Sequence, residues 1–324
     1  SNMDQPSPSP LSSAILGRGF VCVCLGKAIS PGIIMRRNKE CEMNLLGKTA
    51  VLTLSVCAFS MATNAHSNAE TLRFGIGPYY SKERIYSGFA PLMEHLSKTL
   101  GRQVTISVTK EYEDLETQIC NGDLDVGIFG AVSYVKLKEK CPKTQYLATT
   151  QATKGGKKRS YYFSWFIAHK DSGITKMKHL KDKSFAFVST HSSSGYVFPM
   201  TYFKKRKIVP KTYFSKVEFT GSHSKVTDRI ASGEIDAGAT YDVNLWAAEG
   251  KHGKIFRRLK KIGPILNLAV AVAEHLDDAT RRKIADELAN LPQSVFTKDL
   301  PYTGFEMLSD KDYNLTREAV RASQ

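Results

Sequence analysis

The residues best suited to chemistry in this chain lie in one short stretch, Phe185–Tyr196, which reads FAFVSTHSSSGY. An apolar strand pattern over Ser184–Val188 runs into a Ser/Thr-rich turn, and a helix is expected to begin within Ser192–Tyr196. The first N–H groups of a helix have no partner inside it and carry the positive end of its dipole. With hydroxyl donors beside them they form a site for an oxyanion that needs no lysine. One serine satisfies a helix cap, whereas Ser192, Ser193 and Ser194 stand together before Gly195, more than capping requires. An oxyanion-binding turn is therefore the favoured reading and a plain serine cap the simpler one. The same serines do not read as a hydrolase: no G-x-S-x-G elbow is present and no Ser/His/acid set can be ordered from the sequence. Binding without turnover is expected.

The elements that must position this turn are marked by an internal echo. Glu116–Val132 reads ETQICNGDLDVGIFGAV and Thr227–Val243 reads TDRIASGEIDAGATYDV. In both, a helical pattern ends at Gly122 or Gly233, where a helix end favours a left-handed residue, and a short apolar strand led by Asp follows. Two similar α/β lobes are expected. In parallel α/β sheets the loops at the carboxyl ends of the strands face the ligand crevice. That places Phe129-Gly130-Ala131 on one side of a cleft and Thr240-Tyr241-Asp242 on the other.

Elsewhere the chain alternates strand and helix patterns. Thr71–Gly77 and Gln103–Val108 read as strands, Tyr86–Leu100 as a helix, and a further helix begins near Tyr112. This order is the signature of a mainly parallel sheet. Tyr161–His169 (YYFSWFIAH) and Ile265–Ala273 (ILNLAVAVA) read as two long strands bracketing an inserted block. The expected division is residues 70–169 for the first part of lobe one, 170–263 for lobe two, and 264–324 for the return to lobe one, with the crossings near His169 and Gly263.

Composition fits a globular α/β protein: 324 residues, 24% charged, formal net charge +15. Residues 1–69 differ in kind. A basic start at Met43–Lys48, an apolar run at Thr49–Ala62 and a small residue, Ala69, before Glu70 form the order of a secretory signal peptide, too short to span a membrane. The part upstream of Met43 reads as an over-extended start, and the exported protein is expected to begin near Glu70. Lipid anchoring at Cys57 is disfavoured, because Val56 stands where a small residue is wanted. The basic residues are scattered along loops and helix faces with no aromatic-basic stripe, so no nucleic-acid partner is expected. Cys120 and Cys141 are too widely spaced, and too far from any His, for a metal site. In an oxidising compartment they form a disulfide or stand as two buried thiols, and both readings remain open.

Several segments together resemble a known family. They are SSSGYxxP at 192–199, the opening GIGPYYSKERIYSGFAPLMEHLSKTLG at 75–101, Tyr112 followed by DVGIFGAVSYV at 125–135, SHS at 222–224, GATYD at 238–242, and the tail GFEMLSDKDYNLTREAV at 304–320. In order and spacing these are similar to the phosphate/phosphite/phosphonate receptors of ABC importers, over essentially all of residues 70–324. The resemblance implies a type II periplasmic-binding-protein fold: two α/β lobes closing about two crossing segments on a small phosphorus oxyanion. It also implies a periplasmic location, an ABC permease in the inner membrane as partner, no cofactor and a monomer.

Carried over by residue, Ser192, Ser193 and Ser194 hold the oxyanion, Tyr112 comes from lobe one and His223 from lobe two. Asp242 lies nearest the family's acidic position, where it accepts the proton of a singly protonated ligand or meets a cationic tail. Phe129 stands where some members carry Tyr, and Val243 where amine-reading members carry Glu. From the residues alone, Tyr112 serves equally as a ligand donor or a packed aromatic, His223 as a donor or a structural histidine, and Asp242 as a turn residue. Tyr79, Tyr80, Trp165 and Trp246 are further candidates to line the crevice. The competing functions are a ligand-sensing module for a signalling partner, or a type II receptor for a sulfonate or thiamine-like ligand.

Overall fold

The computed structural model describes residues 70–324. The expected signal peptide, its upstream extension and Cys57 lie outside the described residues. In chain order the elements are β1 (Leu72–Ile76), α1 (Lys82–Leu100), β2 (Val104–Val108), α2 (Tyr112–Asn121), β3 (Val126–Phe129) and α3 (Ala131–Lys140). The hairpin β4 (Gln145–Lys154) and β5 (Lys157–Arg159) follows, and then β6 (Tyr161–His169) and β7 (Ser184–Phe187). Next come α4 (Phe198–Lys204), α5 (Pro210–Tyr213), β8 (Lys216–Phe219), α6 (His223–Ala231), β9 (Ala237–Tyr241), α7 (Asp242–His252) and β10 (Phe256–Leu266). The chain returns through β11 (Ala269–Val272), α8 (Asp278–Ala289), β12 (Tyr302–Glu306) and α9 (Asn314–Ser323). No described helix is long and apolar enough to cross a membrane.

Two sheets form, ordered β12-β4-β11-β3-β1-β2, with β5 on β4, and β10-β6-β9-β7-β8. Each has a parallel trio, β2-β1-β3 or β8-β7-β9, flanked by antiparallel strands. The sequence echo has a shared physical cause. Asp125, just before β3, accepts the Arg73 N–H of β1 at 2.7 Å, and Asp236, just before β9, accepts the Ser184 N–H of β7 at 2.8 Å. Both pairs are separated by 52 residues, so the same clasp sets the register of neighbouring parallel strands in each lobe. The helix before each clasp ends at a glycine with φ near 80°: 79° at Gly122 and 78° at Gly233.

Strand alternation supplies the cores. Leu72, Phe74 and Ile76 of β1 pack with Ile85, Phe89, Leu92 and Leu96 of α1, which recur at helical spacing on one face. The second lobe is held by rings: Phe166 stacks on Phe203 at 4.8 Å and Phe185 on Phe214 at 4.6 Å. Cys120 and Cys141 are joined in a disulfide with Cα atoms 5.9 Å apart, tying the end of α2 to the end of α3.

The crossings differ from those expected at His169 and Gly263. β6 pairs with β9 on one side and β10 on the other, so Tyr161–His169 belongs wholly to the second sheet, which runs from Tyr161 to Leu266. The apolar run 265–273 is likewise two strands in two sheets, parted at Asn267 and Leu268. The chain crosses at Ser160 and at Asn267. These positions are tied together: the Asn267 N–H donates to the Ser160 carbonyl at 2.8 Å, and its side-chain amide donates to the Thr150 and Arg159 carbonyls at 3.0 and 3.1 Å. A run of aromatic residues marks a buried strand, and nothing local says which sheet buries it.

Candidate functional site

Between the two sheets lies a cavity of about 310 Å³. Its floor is the turn after β7. A wide, π-type helical turn, Ser193–Val197, in which the Val197 N–H donates to the Ser192 carbonyl at 3.1 Å, leads directly into α4, with Ser192 as its cap; the Ser192 hydroxyl oxygen accepts the Gly195 N–H at 3.0 Å. Ser192, Ser193 and Ser194 are all buried and all line the cavity. Gly195 is required here, because a Cβ at that position would collide with Val188, the residue that follows β7 and against which the turn folds back.

A chain of hydrogen bonds orients the first serine. The Asn244 amide donates to Thr240 Oγ1 at 3.0 Å, and Thr240 Oγ1 is hydrogen-bonded to His223 Nδ1 at 3.2 Å. His223 Nε2 is in turn hydrogen-bonded to Ser192 Oγ at 3.3 Å. With the ring proton on Nε2, Ser192 Oγ accepts from both His223 and Gly195 and keeps its own proton free to donate. The relay needs a neutral imidazole, and burial pushes the His223 pKa down to about 3.

The opposite wall is lobe one. Tyr112 opens α2, is 2% exposed, and its hydroxyl has no hydrogen-bond partner among the described residues. Buried polar atoms are nearly always paired, and this unpaired hydroxyl belongs to a residue that lines the cavity. Tyr79 Oη accepts the Gly130 N–H at 2.7 Å at the start of α3, and its ring meets that of Tyr112 edge-on at 5.3 Å. Burial raises both phenol pKa values, so both remain protonated donors. The two lobes touch at the floor, where Ser193 Oγ accepts the Val132 N–H of α3 at 2.9 Å.

Of the sequence candidates, Tyr79, Tyr112, Ser192, Ser193, Ser194, His223 and Asp242 line the one cavity. Phe129 does not. It is fully buried on the far face of β3, its ring lying over the bare Cα of Gly127 two residues back on that face, so a hydroxyl there would not reach the cleft. Asp242 begins α7 and accepts the Trp165 indole N–H at 2.5 Å, which partly satisfies its charge.

Two contributors are not among the sequence candidates, Tyr162 and His191, and a third, Thr240, is expected beside the cleft but without a role. Tyr162 lies beside Ser193 and Ser194, its phenol pKa pushed up to about 12 chiefly by burial. Thr240 orients His223. His191 reaches across the cleft, its ring nitrogens 3.0 Å from Glu116 and 3.1 Å from Glu113 of α2. A serine cluster before a helix is visible locally, but these contacts arise between segments distant in the chain.

Two α/β lobes joined by two adjacent crossings, with a donor-lined cavity between them, define the type II periplasmic-binding-protein fold. Solved structures share it: a binding protein component of an ABC phosphonate transporter from Pseudomonas aeruginosa (TM-score 0.70, 21% identity, covering 78% of this chain and 86% of that one). PhnD1 from Prochlorococcus marinus in complex with methylphosphonate does so too (TM-score 0.68, 21% identity, 78% and 97%). The family model for the ABC transporter, phosphonate, periplasmic substrate-binding protein matches residues 74–313, and the chain belongs to that family. The phosphate-import protein PhnD of Mycolicibacterium smegmatis is 25% identical over 241 residues, spanning 66% of this chain and 74% of that protein.

Proposed function

We propose that this chain is a periplasmic receptor that captures a small phosphorus oxyanion, a phosphonate, phosphite or phosphate, and delivers it as a monomer to an ABC permease without chemical turnover. The observation that carries this reading is the buried three-serine turn facing the unpartnered Tyr112 hydroxyl. The donors are neutral: serine and tyrosine hydroxyls and the start of a helix, with an uncharged histidine behind the first serine. Hydroxyls also accept, so the set can hold an oxyanion that keeps one proton. Closure of the lobes about Ser160 and Asn267 would bury the ligand and present the loaded form to the permease. Asp242 is already engaged by Trp165, which weakens the case for a cationic tail at that position.

Calorimetric titration with phosphate, phosphite, methylphosphonate, 2-aminoethylphosphonate and sulfate tests the reading. At least one phosphorus ligand should bind more tightly than sulfate. Ser193→Ala and Tyr112→Phe should each weaken it roughly 10- to 100-fold, because a hydrogen bond to a charged group contributes about 1.5–3 kcal/mol. No heat with any phosphorus ligand would sink the assignment.

A further inference from the structure

The cavity changes character from floor to mouth. The floor residues Ser192, Ser193, Ser194 and Tyr112 are nearly inaccessible, whereas Tyr161 and Trp246 at the mouth are 38% and 44% exposed. Among the described residues no lysine or arginine lines the floor. Three cations, Lys154, Arg159 and Lys261, line the mouth. None of the three forms an ion pair with a carboxylate among the described residues; the acid within the same lining, Asp242, is taken by the Trp165 indole.

Each cation is held over a ring of the cavity lining. Lys154 Nζ lies 4.4 Å from the Trp246 ring centre, Lys261 Nζ 3.5 Å from that of Phe163, and the Arg159 guanidinium 5.9 Å from that of Tyr161. Strand alternation explains the grouping. Tyr161, Phe163 and Trp165 share one face of β6, and Lys261 pairs with Trp165 across β10. The rings restrict these side chains without neutralising them. Lys154 comes from β4 in lobe one and Trp246 from α7 in lobe two, so that contact spans the cleft.

Size points the same way. A cavity of about 310 Å³ has room for on the order of ten waters at about 30 Å³ each. A five-atom oxyanion on the floor fills only part of it, leaving space for a tail several atoms long that ends among the cations.

We propose that the preferred ligand is an organophosphorus diacid, in which a phosphorus oxyanion on the serine floor is joined by a short aliphatic chain to a second anionic group held by Lys154, Arg159 and Lys261. This rests on the reading of the cleft as a phosphorus-oxyanion receptor and deepens it. The aliphatic segment lies along the Trp165 and Tyr161 faces. An ammonium tail meets three like charges in the same space and is disfavoured.

Calorimetry with two ligands of matched length, 3-phosphonopropionate and propylphosphonate, isolates the tail, since one ends in carboxylate where the other ends in methyl. The diacid should bind about tenfold tighter, and 2-aminoethylphosphonate more weakly than either. Lys261→Met and Lys154→Met should each move the ratio of the two dissociation constants toward one; a general effect on the oxyanion floor cancels in that ratio. Equal or weaker binding of the diacid, or a ratio unmoved by both substitutions, would overturn the inference while leaving the receptor reading intact. Failure of the diacid to bind while phosphate or phosphite binds would likewise overturn the inference alone, whereas failure of every phosphorus ligand, phosphate and phosphite included, would remove the receptor reading and this inference with it.

Discussion

His223 is 6% exposed, and burial holds its pKa near 3, against the usual value of 6.5. The unfolded chain takes up a proton below pH 6.5 and the folded one does not, so acid favours unfolding. The contribution of this residue is complete above about pH 6.5 and declines as pH falls toward 3, by about 1.4 kcal/mol per unit. At pH 5 the deficit is about 2 kcal/mol. Denaturant unfolding of the wild type and of His223→Gln at pH 7 and pH 5 checks this: the wild type should lose more stability, and parallel losses would refute it. At this scale much of the site was legible, because Ser192–Ser194 overload a single cap and Tyr112 sits at a helix start. His223 could not be resolved from sequence, since its role depends on Thr240 and Ser192, which lie 17 and 31 residues away. Phe129 was misplaced because its side-chain direction depends on strand phase: Gly127 leaves room for its ring on the face turned away from the cleft.

The echoed helix–Gly–Asp–strand units were readable because their signals are local: a left-handed helix end, a clasping carboxylate and a short apolar strand. The long aromatic strand β6 lies in the second sheet and not, as its pattern suggests, in the first, because an apolar central strand has the same composition in either lobe. The disulfide illustrates the same limit, since two helix ends meeting at one edge allow a bond without requiring it. Now that Cys120 and Cys141 are seen joined across a sequence separation of 21, loop closure predicts about 3 kcal/mol of stability. Urea unfolding with and without reductant should show that difference, and coincident transitions would show that the bond contributes nothing. It ties α2, which carries Tyr112, to α3, whose first turn meets Ser193, so reduction should loosen the lobe-one wall of the site before it disturbs the second sheet.

Over the whole molecule, charge and donor chemistry are separated. The chain carries a formal charge of +15, yet the cavity floor holds neutral donors and the cationic groups stand at its rim. A basic surface raises the local concentration of anions, while neutral donors in a buried floor select by geometry. Contacts across the cleft occur at three levels: Ser193 with Val132 at the floor, His191 with Glu113 and Glu116 at the side, and Lys154 with Trp246 at the mouth. Motion about Ser160 and Asn267 would alter all of them together. The two tryptophans of the chain, Trp165 and Trp246, both line this cavity, one donating to Asp242 and the other lying under Lys154. Ultraviolet emission of the unlabelled protein is therefore an intrinsic optical gauge of cleft occupancy. Titration with a bound ligand should shift its intensity or wavelength with the same midpoint as calorimetry, and an unchanged spectrum at saturation would place the ligand elsewhere.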